Sequence, residues 1–432
     1  MSSLPGHDAD LVRAIGTRTL TLSVINSTIG AGIFVLPAIV GGSLGAGAPF
    51  AYLVCAAAML VISLSFAVAG SRVASTGGIY AYVRTAFGPT VGYFAGVLQV
   101  LSAILAVGTV ARGMVDTLVS PQRPGAFALG VLVLTLVVAT IVTLNVRGVQ
   151  IGARTVAVVT LAKLLPLVAF VVLGLFAVDS LAIAPTWPGI EPLGRTALTL
   201  IFAFVGVEIA LNPGAEIKSP ARAVPLAILA ALGIVTVFYL LIHLVAVSAL
   251  GDSLAAEQTA PLAAAASRVL SPGWAGILLW GGSLSMLGYV GGDLLNSPRA
   301  VYALARDGYL PRALAGIHPR FKTPWLAIVI YAALVVVVTN SGTFAQLAIV
   351  SNVAILSLYL MGCIAAMALA RRDVREAGGT PFTLAGAGTV APVVASAFIV
   401  WLLWHATWQE FAVQGVVLAA AAVGLPLRRR LS

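Results

Sequence analysis

Three ionisable side chains lie inside long apolar stretches of this sequence: Lys163, Glu208 and Asp293. A charge at the depth of a bilayer's hydrocarbon is costly unless it is paired or hydrated. Where such residues occur in membrane segments, they face a bundle interior or a water-filled cavity and mark pathways for ions, protons or polar ligands. We therefore regard these three side chains as candidates for ligand binding and proton transfer.

Two apolar segments are also interrupted near their middle. Residues 20–40 contain Gly-Ala-Gly at 30–32, and residues 196–217 are interrupted around 203–208. A helix in hydrocarbon unwinds only where it is buried in protein or lines a polar cavity. Glycines also occur where membrane helices merely pack closely, but these two breaks fall at equivalent places in the two halves of the chain. The pattern predicts a transporter with its site near the bilayer midplane.

The amino-acid composition indicates which structural elements position these residues. Apolar residues make up 60% of the chain and charged residues 9%, whereas a soluble domain carries about 25% charged residues. One span needs roughly 20 apolar residues. We predict an all-α polytopic membrane protein, without a cleaved signal peptide at its polar N-terminus. Its twelve predicted transmembrane helices are 18–41, 47–70, 90–118, 124–145, 151–176, 195–216, 224–250, 273–298, 324–340, 344–370, 388–405 and 409–426.

The net charge of +10 is distributed unevenly among the loops. With the N-terminus inside, nearly all of the excess lies on the cytoplasmic side, which is the positive-inside pattern. This distribution predicts a cytoplasmic membrane protein with both termini in the cytoplasm, in contact with lipid rather than nucleic acid. The outer side receives only Arg123, Arg195 and Arg268, with Arg112 near the outer end of the third span.

The residues that usually build catalytic or metal sites are scattered. Cys55 and Cys363 lie inside predicted spans, and the four histidines lack ligand spacing, so we expect no disulfide, metal or cofactor. Three dispersed ionisable residues do not form a catalytic cluster, and no continuous polar stripe suggests a channel. We therefore expect neither an enzyme nor a channel.

The two halves resemble each other as an inverted repeat, because spans one to five and spans six to ten each begin with a broken helix. An odd number of spans per repeat makes the second copy enter from the opposite side. The predicted organisation is a cytoplasmic N-terminus at 1–17, a first repeat at 18–176, a second repeat at 195–370, two C-terminal helices at 388–426 and a cytoplasmic C-terminus at 427–432.

Helix polarity predicts what the breaks bind. The restarted half of helix one presents unpaired amides near Ala31 and Gly32, which form a positive dipole end. The first half of helix six ends in carbonyls near residues 202–205, which form a negative end. Neighbouring amides and carbonyls suit a zwitterion, so we predict an amino acid or a related small amine as substrate.

Four stretches carry a resemblance to a known family. They are IGAGIFVLP at 29–37, STGGIYAY at 75–82, FAFVGVE at 202–208 with the following KSP and VP, and RAVYALARDGYLP at 299–311. The chain resembles the amino acid–polyamine–organocation (APC) superfamily of secondary transporters over about residues 18–325. The resemblance implies a leucine-transporter-like five-plus-five inverted repeat with broken helices 1 and 6. It also implies that residues 75–82 form the inner loop before helix three and that residues 299–311 form the loop after helix eight.

The resemblance also suggests roles for two of the ionisable residues. Lys163 lies about 14 Å above Arg154 along its helix, where sodium-coupled relatives bind their cation, and its ammonium would bond carbonyls around residues 26–29. It could then load and release a proton. Glu208, at the inner rim of the second break, would bond exposed amides of helix one in a gating or proton-sensing role; the alternative is a neutral acid held for packing.

Asp293 leaves two interpretations open. As a cavity residue it would favour a cationic side chain or a second amine, whereas a charge paired with Lys163 or Arg299 would be structural. Phe202 matches the family's outer gate, and we interpret Phe34 and Tyr289 as core packing. The predicted substrate-binding residues are Thr28, Gly30, Ala31, Gly32, Phe202, Ala203, Phe204, Val205 and Asp293, with Lys163 and Glu208 in proton coupling.

Together these observations predict a secondary amino acid transporter that works by proton symport and alternating access. The alternative is an antiporter that exchanges an amino acid for an amine and favours cationic substrates. The expected partners are the substrate, a proton and the lipid bilayer, and a homo-oligomer is possible.

Overall fold

The computed structural model describes residues 16–73, 78–119, 124–147, 153–182, 185–206, 220–257, 259–306, 308–374 and 388–429. Within these ranges every regular element is helical. The α-helices are α1 (Thr17–Thr28), α2 (Gly32–Leu44), α3 (Ala48–Gly70), α4 (Ile79–Phe87), α5 (Pro89–Leu118), α6 (Ala126–Val146), α7 (Ala153–Ala177), α8 (Ile190–Leu200), α9 (Pro220–Leu250), α10 (Pro261–Val269), α11 (Pro272–Asn296), α12 (Pro298–Arg306), α13 (Trp325–Thr339), α14 (Phe344–Arg371), α15 (Val390–Trp404) and α16 (Trp408–Arg429).

The all-helical prediction is confirmed for the described residues, and each predicted span contains a helix. By length and hydropathy, five helical stretches are able to cross a membrane on their own: 32–70, 89–118, 126–146, 226–256 and 344–371. The pair α15 and α16 qualifies as one further span, bent by 112°. The chain is therefore a multi-pass membrane protein, while the count of twelve spans and the inverted repeat stay predictions.

Helices also occur where the sequence suggested loops. The stretch at 75–82 was expected to be a loop before helix three, but α4 begins inside it at Ile79. Likewise α12 occupies most of the expected loop at 299–311. Each is a short amphipathic helix: in α12 the buried apolar residues are Val301, Leu304 and Ala305. That i, i+3, i+4 spacing places one apolar stripe against the bundle.

The outer surface of the bundle is apolar. Large side chains such as Phe176, Trp280, Trp404 and Trp408 are mostly exposed. In a soluble protein, side chains of this kind are mostly buried away from water. The interior, in contrast, contains buried polar groups, including Lys163, which is 8% exposed. This inside-out distribution is the one expected when the solvent is lipid and function lies within the bundle.

The first predicted break is present, and the described part of the second agrees with the prediction. The first helix ends at Thr28 and resumes at Gly32. The sixth predicted span begins as α8, tightens into a 3₁₀ turn over residues 201–204, and becomes extended at Val205. Gly206 has a φ of +113°, a conformation that glycine adopts readily and other residues rarely. The rest of that break, including Glu208, lies outside the described residues.

Candidate functional site

A cavity of about 230 Å³ lies where the two breaks meet. Its wall comes from both breaks, from α5, from α11 and from α14. Of the predicted substrate-binding residues, these line it: Thr28, Gly30, Ala31, Gly32, Phe202, Val205 and Asp293. The structure thus brings together seven residues that are far apart in the sequence, around a space of the size of a small metabolite.

The first break contributes backbone to the wall of this space. The Gly30 N–H bonds the Thr28 carbonyl at 2.8 Å, which closes a tight turn before α2 begins. Amides in the first turn of a helix have no intrahelical acceptor, and here that turn begins at Gly32. A Cβ at Gly30 would meet nothing closer than 4.0 Å, so the glycine leaves the backbone open toward the cavity.

The two breaks pack directly on each other. A Cβ at Gly32 would lie 3.1 Å from the Cα of Ala203, and one at Gly206 would lie 3.1 Å from the Ser27 carbonyl oxygen. Such distances are too short for a side chain, so both glycines permit backbone contact between the helices. Ala203 is therefore occupied by the opposite break and does not line the cavity.

Tyr239 of α9 joins the two breaks through its hydroxyl, and this role was not predicted from the sequence. Its hydroxyl lies 2.9 Å from the Thr28 carbonyl oxygen and 2.9 Å from the Ala203 carbonyl oxygen, and donates its one proton between them. The side chain is fully buried, with its ring edge-on to Phe204 at 5.4 Å. Phe204 accordingly belongs to the packing behind the break and not to the cavity wall. The available signal was a hydroxyl in an otherwise apolar stretch.

Lys163 of α7 reaches the first break without lining the cavity. Its Nζ donates to the Asn26 carbonyl at 2.6 Å and to the Ile29 carbonyl at 2.8 Å. Both carbonyls lie within residues 26–29, the range that was predicted for this contact. The contact places a buried cationic group at the point where α1 ends, and its role in proton coupling stays a prediction.

Asp293 lies on the cavity wall, three residues before the end of α11. Its Oδ1 accepts from the Tyr331 hydroxyl at 2.7 Å, and its Oδ2 accepts from Ser297 Oγ at 2.8 Å. Among the described residues its partners are hydroxyls and not cations, since Lys163 bonds α1 and Arg299 bonds the Leu295 carbonyl. Of the two interpretations, the structure agrees with the cavity position and shows no pairing with Lys163 or Arg299.

Aromatic residues form part of the cavity wall. Phe202 lines it and meets Phe344 of α14 edge-on, with ring centroids 5.9 Å apart. Phe34 packs away from this space, against Gly282 of α11. Tyr289, interpreted from the sequence as core packing, instead lies on the cavity wall.

Several polar wall residues were not anticipated from the sequence. Gln99 and Ser102 of α5 line the cavity, as does Ser351 of α14. The Thr28 hydroxyl is buried and has no partner within the described part of the chain. A wall that combines such groups with glycine backbone and aromatic rings is typical of a site for a small polar ligand.

Comparison with known proteins gives these observations a context. The family model described as "Amino acid permease" matches residues 15–422. The chain is 26% identical to the methylthioribose transporter of Bacillus subtilis (strain 168) over 441 residues, which cover 95% of this chain and 93% of that protein. It is 27% identical to the serine/threonine exchanger SteT of the same organism over 381 residues, or 86% of each. It is also 25% identical to the branched-chain amino acid permease BcaP, covering 93% of this chain and 90% of that protein.

These relatives are transporters, and none of the three names describes an enzyme. The match extends over nearly all of the chain, through both breaks and the whole cavity wall. The chain therefore belongs to the amino acid permease family of the APC superfamily.

Proposed function

We propose that this protein is a secondary active amino acid transporter of the cytoplasmic membrane, with both termini in the cytoplasm. It would hold the substrate zwitterion at the two helix breaks and couple uptake to a proton by alternating access. The observation that carries the proposal is one cavity bounded by the start of α2 on one side and by residues 202–206 on the other.

The backbone would recognise the two charges common to all amino acids. The substrate carboxylate would lie at the amides of Ala31 and Gly32, where the dipole of α2 is positive. The ammonium would lie toward the carbonyls at the end of the 3₁₀ turn, near Phe202 and Val205, where the dipole is negative. The unpaired Thr28 hydroxyl offers a further hydrogen bond beside them.

The remaining wall would select the side chain. Ala103, Ala106 and Val110 of α5, with Ile355 of α14, form a part made of small and medium apolar residues. A substrate with a modest apolar side chain fits that part. Two of the relatives bear names that specify serine and threonine or branched-chain amino acids, and both groups are small enough for it.

Proton coupling would depend on Lys163. Its ammonium bonds two carbonyls at the end of α1, a place where carbonyl oxygens would otherwise suit a sodium ion. A second monovalent cation beside it would be repelled strongly in a medium of low dielectric. Loss of a proton from Lys163 would weaken its contact with α1, because charge-assisted hydrogen bonds would become neutral ones, and return of the proton would restore it.

A second function is favoured by one specific observation. Asp293 is an acid on the cavity wall, and its described partners are neutral. A carboxylate in that place would attract a cationic side chain or a second amine. This arrangement supports the alternative of an amino acid/amine antiporter.

Uptake into proteoliposomes tests these proposals together. Radiolabelled L-leucine, L-serine and L-arginine are each offered with an imposed pH gradient, with an imposed sodium gradient, or with unlabelled amine inside. We expect accumulation driven by the pH gradient alone. Accumulation only on exchange with internal amine supports the antiporter. Accumulation driven by sodium alone contradicts the assignment of Lys163 to the cation site, and no transport of any amino acid contradicts the proposed function.

A further inference from the structure

One backbone carbonyl near the end of α1 lacks its usual helical donor. Along an α-helix each N–H bonds the carbonyl four residues earlier, and Ile29 still does so, to Ile25 at 2.9 Å. The next amide, of Gly30, turns back to Thr28 instead. The Asn26 carbonyl, which Gly30 would otherwise have bonded, is therefore left without its helical donor.

The end of α8 is also irregular. The Ile201 N–H bonds both the Ala197 carbonyl, in the α-helical manner, and the Thr199 carbonyl. The chain then tightens into the 3₁₀ turn over residues 201–204, where hydrogen bonds span three residues and not four. The α-helical bonding pattern therefore ends just beyond the Leu198 and Thr199 carbonyls. Asn26 and Leu198 each lie two residues before the last residue of their helix.

A side-chain nitrogen from another helix satisfies each of these carbonyls. Lys163 Nζ is 2.6 Å from the Asn26 oxygen, and Asn352 Nδ2 of α14 is 2.7 Å from the Leu198 oxygen. Each nitrogen also bonds one neighbouring carbonyl, of Ile29 at 2.8 Å and of Thr199 at 3.2 Å. Because both neighbours of the Asn352 amide are acceptors, its nitrogen and not its oxygen must face them.

The two donors occupy corresponding places in the predicted repeat. α7 is the fifth span of the first repeat, and α14 is the fifth span of the second. Lys163 follows the first residue of α7 by ten positions, and Asn352 follows the first residue of α14 by eight. Like Lys163, Asn352 is buried, with no exposed surface at all.

We propose that Asn352 is the second-repeat counterpart of Lys163, a positioning residue that holds the break of helix six and thereby sets the Phe202 gate. Its amide carries two N–H donors and no charge, so it holds the Leu198 and Thr199 carbonyls whatever the pH. Lys163, in contrast, is charged when its amine is protonated and neutral when the proton has left. The break of helix one would then be the half that responds to the proton and the break of helix six the fixed half, a division that rests on the proposed proton coupling.

Hydrogen–deuterium exchange of the purified protein tests the positioning role without any substrate. Asn352→Asp removes both N–H donors at nearly constant volume, and Asn352→Leu removes them without burying a carboxylate. Either variant should accelerate exchange of amides in residues 201–206 by about ten-fold or more, the size expected for a lost hydrogen bond to a buried group. Residues 20–30 should be unchanged. Lys163→Met should produce the reverse pattern.

Asn340→Asp is the matched control. Its amide also bonds a backbone carbonyl, that of Val336 at 2.8 Å, but at the end of α13 and away from both breaks. It should change neither segment. Equal acceleration of both segments in the Asn352 variants, or exchange of residues 201–206 as slow as in the unchanged protein, overturns the proposal.

Transport gives a second readout that a general loss of structure would not reproduce. For whichever of L-leucine, L-serine or L-arginine the protein accumulates, Asn352→Leu should lower kcat/KM by about ten-fold or more and keep the unchanged protein's pH profile, since leucine adds no titratable group. Lys163→Met should alter that profile. A changed pH profile in Asn352→Leu overturns the division of roles. If none of the three is transported, the proposed function fails while the exchange experiment still decides the role of Asn352.

Discussion

Removal of the Tyr239 hydroxyl should loosen both helix breaks at once. Tyr239→Phe keeps the buried ring and deletes the hydroxyl that bonds the Thr28 and Ala203 carbonyls. The Thr28 carbonyl still accepts from the Gly30 N–H, so the main cost falls on the Ala203 carbonyl. A buried acceptor that loses its donor costs about 1–3 kcal/mol. We therefore expect the free energy of unfolding to fall by about 2 kcal/mol.

That free energy sets the size of the effect on binding. The breaks would have to be drawn together again when substrate binds, so the apparent affinity should fall by up to about 30-fold, the equivalent of about 2 kcal/mol. The assay is thermal unfolding of the purified protein over a range of L-leucine, L-serine or L-arginine concentrations, since a ligand that binds the native state raises the melting temperature. Without ligand, the melting temperature of the variant should already be lower.

Tyr52→Phe provides the matched control for this measurement. Tyr52 is as fully buried as Tyr239, and the substitution again removes one hydroxyl, but the described hydrogen bond of that oxygen is a long one, of 3.4 Å, to His243 Nδ1 and not to a carbonyl of either break. It should bind substrate as the unchanged protein does. If Tyr239→Phe binds as tightly as Tyr52→Phe, the hydroxyl does not join the breaks, and the reasoning from its two contacts is refuted.

Four further outcomes follow from the site. Gly30→Val should abolish transport by filling the cavity, whereas Gly32→Val should do so by pushing Ala203 away; normal uptake by either, measured at matched membrane expression, contradicts this geometry. L-leucine should stabilise the protein in thermal unfolding and L-leucine amide should not, because only the acid offers a carboxylate to the α2 amides. Asp293→Asn should weaken L-arginine binding far more than L-leucine binding; equal losses make Asp293 a structural charge. Uptake should rise as outside pH falls, and Lys163→Ala should remove that dependence; a retained pH response places the proton elsewhere.

The breaks and the helices could be predicted from the sequence because each depends on local composition. A run of about 20 apolar residues defines a span, and Gly30 and Gly32 interrupt one where backbone amides need partners. The contact of Lys163 with α1 was expected from the resemblance to the family and not from its own segment. For the breaks and the helices, in contrast, the signal lies in one segment and its physical requirement.

The partners of the breaks could not be predicted in the same way. Tyr239 and Asn352 act on carbonyls that are 36 to 211 residues away along the chain, and a hydroxyl or amide in an apolar run does not reveal which of them it meets. Both Phe202 and Phe204 were likewise predicted to bind substrate, and only the family resemblance distinguished Phe202 as a gate. They differ by two positions, but in a 3₁₀ turn that change moves a side chain from the cavity wall to the packing against Tyr239.

The anchoring of α8 indicates which break is free to move. At its middle, Arg195 bonds both carboxylate oxygens of Glu410 and the carbonyl of His405, so the α15–α16 pair holds the helix there. Near its C-terminal end, Asn352 holds the Leu198 carbonyl. In contrast, the contacts of Lys163 with α1 include a positive charge, which is lost when Lys163 releases a proton. Because a conformational change needs a difference in contacts between two states, α1 is the element whose contacts a proton would change, and α8 is the frame against which it would move.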